Sequence, residues 1–106
     1  MTDAGQVIFM AWASWTTTGV FSGPTGVETV EAGVLRGELD IHTTWVDEQV
    51  IITVQYSGSA DWYTLDGSPM PCGTEHDSRE VHQAVVDAVR SGRGPAVLRE
   101  ITALSD

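Results

Sequence analysis

The chain contains no lysine and no asparagine, and its single cysteine is Cys72. Each absence narrows what the protein can be. Without lysine, five arginines stand against 15 acidic residues, and the formal net charge is −10. A surface of that sign repels nucleic acid and anionic membrane and attracts basic partners. A lone cysteine excludes an internal disulfide framework, so a reducing compartment is the simpler expectation. Lacking lysine, the chain has no Walker loop, and it has no Gly-x-Gly-x-x-Gly stretch, so phosphate binding is not expected. No apolar run approaches the ~18 residues of a membrane span. The longest, Val7 to Ala13, follows Asp3 and no basic side chain, so no cleaved secretory signal is expected either. The expectation is a cytoplasmic protein.

What is present suits one domain over residues 1–106. The apolar fraction of 42% is ordinary for a globular protein and too high for disorder. A chain of this length buries a core without metal or disulfides, although with a modest margin.

Gln6 to Thr18 reads as a strand rich in β-branched and aromatic residues, and Gly19 to Gly26 as a turn or loop. Val27 to Val34 alternates weakly and reads as a further strand. Glu38 to Val46 and Gln49 to Tyr56 are the clearest strands, the second placing Val50, Ile52, Val54 and Tyr56 on one face. Asp47-Glu48 joins them as a hairpin. Because that turn has neither Gly nor Asn, a loop slightly longer than two residues is expected. Asp61 to Leu65 reads as a fourth strand, ended by Asp66-Gly67. Asp77 opens the best helix, with Asp77 and Glu80 spaced as a capping box. Val81, Ala84, Val85, Ala88 and Val89 form its apolar stripe, Arg90 lies in its last turn, and Gly92 supplies its stop. Pro95 could open a second helix, while Val97 to Ala103 suits a strand nearly as well. The fold class expected is α+β: an antiparallel sheet of four or five strands, one amphipathic helix on one face, and a short final helix or strand.

Few residues have the spacing of a chemical site. Cys72, His76 and His82 lie close in sequence, with Glu75, Asp77 and Glu80 among them. A structural zinc normally needs four ligands in two tight pairs, and only one cysteine is available. His82 is expected on the helix flank, partly exposed. Cys72 sits in a Pro-Met-Pro-Cys-Gly loop with possible exposure, and surrounding carboxylates would raise its thiol pKa rather than activate it. Glu38 and Asp40 would share a strand face about 7 Å apart, a spacing usable for acid–base work on a glycoside. A chain this small does not readily build the cleft, so a solvated strand face is expected. Arg90, Arg93 and Arg99 form the only basic cluster, read as helix-end compensation. No cofactor and no metal are expected.

Four tryptophans are a surplus for this length. Trp12 and Trp15 are three apart, so in a regular strand they face opposite sides and cannot both enter one core; one of them either packs under another layer or sits at the surface. Trp45, Trp62 and Tyr63 fall near strand ends. With Asp47, Glu48, Asp61 and Asp66 they form a candidate partner-binding patch, since aromatic anchors ringed by charge resemble interface hot spots.

The second half resembles a family of small bacterial immunity proteins that neutralise polymorphic toxins. The likeness runs from a strand ending in Val54-Gln55-Tyr56, through Asp61-Trp62-Tyr63 and the Asp66-Gly67 turn, to a helix from about Ser78 and Ser91-Gly92-Arg93-Gly94-Pro95-Ala96. It covers residues 50 to 100 and implies a non-enzymatic inhibitor that binds a toxin domain with its acidic surface. Where that family usually carries a Trp at the end of the last strand, this chain has Leu98-Arg99-Glu100-Ile101. The leading expectation is thus a small acidic protein that inhibits or modulates a basic protein partner. The alternatives are an assembly subunit or homodimer with surface Trp at a self-interface, and a small enzyme or ligand carrier using Cys72, His76 and His82.

Overall fold

The computed structural model describes residues 12–92. Within them the chain forms β1 (Trp12–Phe21), β2 (Val27–Thr29), β3 (Gly33–Leu35), β4 (Glu38–Val46), β5 (Gln49–Tyr56), β6 (Tyr63–Thr64), β7 (Met70–Pro71) and α1 (Glu75–Arg90). The main sheet has five strands in the order β1-β4-β5-β6, with β7 also paired to β5. All of these pairings are antiparallel. The β2–β3 hairpin is tied to the far side through amides of Val30 and Asp66, which donate to Thr64 O and Glu28 O. An α+β fold with the helix on one sheet face is what the alternation predicts.

Period-two burial fixes the inner face. Val50, Ile52 and Val54 of β5 are fully buried beside Leu39, Ile41, Thr43 and Trp45 of β4. Val85, Val86, Ala88 and Val89 of α1 close over them, mainly above β1 and β4. Burying a Val or Ile side chain contributes about 1.5–3 kcal/mol, so this layer carries most of the stabilisation. The other face of the main sheet has no helix on it among the described residues.

Several local expectations are corrected. The Asp47-Glu48 loop is a tight two-residue turn: Val46 pairs directly with Gln49, and φ is 52° at Asp47 and 61° at Glu48. Two positive φ values define the primed turn that matches strand twist, and strand pairing imposes it despite unfavourable residues. Helix α1 starts earlier than Asp77. Thr74 is the N-cap, its hydroxyl accepting from Asp77 N at 3.1 Å, so Asp77 lies in the first turn and Glu80 pairs elsewhere. Pro69, Pro71 and Gly73 favour an irregular stretch after Gly67, yet Met70–Pro71 pairs with Gln49 and Val50.

A further correction concerns β1 and Asp40. The strand does not end at Thr18 but continues to Phe21 across a register shift between Thr17 and Val20. Gly19, at φ 68°, makes that bulge possible. Asp40 is buried beneath it rather than solvated. Its carboxylate accepts from Gly19 N at 3.1 Å, Ser57 Oγ at 2.7 Å and Gln55 Nε2 at 3.0 Å. The Ser57 bond, with those of Gly19 and Gln55, holds the carboxyl below its ordinary pKa despite burial. Glu38 is exposed. The expected strand at Asp61 to Leu65 contracts to Tyr63–Thr64 plus a bridge at Leu65, and Val27 to Val34 divides into β2 and β3. Gln6 to Ala11, Arg93, Arg99, Pro95 and the segment Val97 to Ala103 lie outside the described residues.

Candidate functional site

The patch expected around Trp45, Trp62 and Tyr63 does not assemble as one surface. Trp45 shares the inward parity of Ile41 and Thr43. Its indole is buried and donates to Cys72 O at 2.8 Å, so it is a core residue and no exposed anchor. Tyr63 is half-buried against the same core. Trp62 is 43% exposed and meets the ring of His42 on the opposite sheet face, edge-on at 5.9 Å. Asp47 and Glu48 sit at the β4–β5 turn. Tyr63 pairs with Val54, five residues along β5 from Gln49, about 17 Å away at the usual strand rise. Asp61 and Asp66 flank that distant β6, so they do not ring the hairpin turn.

A different grouping forms instead. Backbone pairing carries β7 past the hairpin turn, where Cys72 N donates to Glu48 O at 2.9 Å. Two residues later Thr74 caps α1. This places the exposed Asp47 and Glu48 at the same end as the first turns of the helix, which expose Glu75, Asp77 and Glu80. Acidic residues in a first turn are also favoured by the helix dipole. Beside them Trp15 of β1 is half-buried, fixed by its Nε1–H donating to Ser78 Oγ at 3.1 Å. The buried Ser78 hydroxyl donates in turn to Glu75 O at 2.6 Å. The Arg79 guanidinium lies 5.9 Å from the Trp15 ring centre, within cation–π range. A shallow hollow of about 260 Å³ is lined by Trp15, Glu75, His76 and Arg79. His76 and Glu80 form an exposed pair at 3.3 Å.

Trp15, Glu75, His76 and Arg79 were not singled out as a site by sequence. The available signal was the opposite parity of Trp12 and Trp15: Trp12 is 65% exposed on the uncovered face, and Trp15 lies under the helix.

Cys72, His76 and His82 are pulled apart. The Cys72 thiol is buried and directed at Thr74 O, and desolvation, with Asp77 adding repulsion, pushes its pKa up. His76 is exposed. His82 is buried between helix and sheet, contrary to the exposed flank expected. Its Nε2 and Nδ1 share hydrogen bonds with the Thr17 and Thr43 hydroxyls at 2.8 and 2.7 Å. Burial, and secondarily His42, holds the imidazole below its ordinary pKa. Among the described residues no group of three or more His, Cys, Asp or Glu could hold a metal ion.

The chain matches no protein-family model, no curated protein and no solved structure.

Proposed function

We propose that the protein is a small acidic binding protein that inhibits or modulates a basic protein partner, and that the hairpin-turn and helix-start end is its contact surface. The observation that carries this reading is the convergence of Asp47 and Glu48 with Glu75, Asp77 and Glu80 beside the held indole of Trp15. A net charge of −10 steers a basic partner toward the molecule. Charged residues at the rim then set register and association rate, and a fixed aromatic supplies apolar contact. The resemblance to immunity proteins makes a toxin domain the favoured partner class. A basic nucleic-acid enzyme whose groove the acidic end occupies fits the same physics. A cytoplasmic setting accords with the single, buried cysteine and belongs to the same proposal.

The test is affinity capture with the intact chain at low and high salt, followed by titration of the captured partner. The expected result is a basic protein retained at low salt and released at high salt. Combining Asp47→Asn, Glu48→Gln and Glu75→Gln should slow association about tenfold or more, as loss of electrostatic steering does. Binding indifferent both to salt and to that triple variant sinks the reading.

A further inference from the structure

The buried side of α1 changes character along its length, and we infer that its first two turns form a strap that acid opens, with His82 as the latch. In the C-terminal half, Val85, Val86, Ala88 and Val89 are buried in the core. In the N-terminal half the buried residues are Ser78 and His82, and both are polar. The strap carries Glu75, Asp77 and Glu80, so its effect on binding rests on the contact surface proposed above. Its opening rests on the helix–sheet seam alone.

Ser78 and His82 make successive rungs to β1. Trp15 Nε1–H donates to Ser78 Oγ at 3.1 Å, and His82 Nε2 shares a hydrogen bond with Thr17 Oγ1 at 2.8 Å. Four helical residues rise about 6 Å and two strand residues about 6.6 Å, so helix and strand stay in step. His82 Nδ1 also reaches Thr43 Oγ1 of β4 at 2.7 Å. One imidazole thus ties this half of the helix to both strands beneath it. Apolar burial holds the other half whatever the pH.

The groups around the imidazole decide what a proton does. β1 and β4 present the Thr17 and Thr43 hydroxyls to it. Burial disfavours its charged form, and His42, next to Thr43 on β4, adds repulsion. On α1 itself, Glu75, Asp77, Glu80 and Asp87 are exposed, as are His76, Arg79 and Arg90. Both hydroxyls can accept from an imidazolium, so protonation keeps the two bonds. It adds a desolvated charge that no carboxylate among these groups neutralises, and such a charge is costly in a dry interface. Lifting the first two turns brings water to the ring and leaves Val85 to Val89 seated. Two turns are not a stable helix away from the sheet, so lifting unwinds them. It also takes Ser78 from Trp15 and carries Glu75, Asp77 and Glu80 away from Asp47 and Glu48. Acid thereby dismantles the contact surface.

The experiment is amide hydrogen exchange of the intact chain without a partner, read by NMR between about pH 7.5 and 5. Protection, corrected for intrinsic exchange, is compared among residues 79–84, residues 87–90 and β5. The expected result is lower protection over residues 79–84 at every pH. It should fall further by up to about tenfold per pH unit below about 6.5, with the Trp15 indole resonance moving over the same range. His82→Gln should flatten both responses. Thr17→Val, which cuts one rung and keeps the imidazole, should lower protection over residues 79–84 several-fold at neutral pH and spare residues 87–90. Protection over residues 79–84 equal to that of β5 at every pH overturns the inference, because the helix then opens only with the whole molecule. A pH response that survives His82→Gln overturns it too, as does protection that Thr17→Val leaves unchanged. All of these readouts come from the free chain, so their failure leaves the acidic contact surface standing, and a failed capture leaves the strap standing.

Discussion

Two threonine–histidine pairs, one on each face of the sheet, present nearly the same contact in different surroundings. Under the helix, the Thr43 hydroxyl and His82 Nδ1 are 2.7 Å apart and sealed from water. On the uncovered face, the Thr16 hydroxyl and His42 Nδ1 are also 2.7 Å apart, but water reaches them. Geometry alone would value the two equally. Energetics does not, because a buried group that loses its partner has no solvent to turn to. The covered face therefore depends on complete pairing, while the uncovered face depends on it only where Asp40 sinks beneath the bulge.

Asp40 is the sharpest place to break this contrast, since it lies on the uncovered face yet behaves as an interior residue. Asp40→Ala leaves Gly19 N, Ser57 Oγ and Gln55 Nε2 without their acceptor. The expected cost is about 3 kcal/mol, because stranded donors each forfeit part of their desolvation cost. Urea unfolding should show the midpoint falling with little change in slope. Asp40→Asn should cost less. The buried Gln55 Oε1 has no partner, so a flipped Gln55 amide can accept from the new Asn. The carboxyl's pKa is lowered in the fold. Its ionised form therefore contributes stability above the unfolded value of about 3.9, and that contribution is lost as pH falls through the folded value. Asp40→Asn should flatten this acid limb.

His82 gives the matching test on the covered face, at a different pH. Its folded pKa is lowered by burial and by His42. Below about 6.5 the unfolded chain takes up a proton that the folded chain refuses, so stability falls as pH drops from there toward the folded value. Above that window pH has no effect through this group. His82→Gln should cost about 2 kcal/mol at neutral pH through imperfect replacement of the two hydroxyl bonds. It should also abolish the loss of stability that sets in below about pH 6.5. A variant that keeps the wild-type slope in that window shows that another group titrates there.

These two residues also show how far sequence reading reaches. Alternation made β4, β5 and the buried Val50, Ile52 and Val54 legible, because one covered face forces a period of two. The same parity runs through Leu39, Ile41, Thr43 and Trp45, and it contained the warning that Trp45 points inward. Counting aromatics near strand ends ignores that warning. Asp40 was harder. Its burial depends on a bulge whose only local sign is Gly19 within a β-rich run. The helix start was ambiguous, since Thr74-x-x-Asp77 and Asp77-x-x-Glu80 both have cap spacing, and the placement of β7 decides between them. The Trp15 hollow was out of reach, because residues 15 and 75–79 meet only once the register of β1 and the docking of α1 are known.

The smallest expected effect is the cleanest, because it uses one substitution on both faces. Thr43→Val keeps shape and β propensity but removes the hydroxyl from His82 Nδ1. With no water to replace it, the loss should be about 1–2 kcal/mol. Thr16→Val removes the equivalent hydroxyl from His42 Nδ1, where solvent takes over, and should stay within about 0.5 kcal/mol of wild type. Paired urea curves measured in one buffer give the difference directly. Equal costs would mean that water reaches both pairs alike, and the helix would then not seal its face as the burial of Thr43 and His82 requires. A larger cost at Thr16 would mean that another molecule covers the open face, and raising the protein concentration in the same assay should then increase that cost.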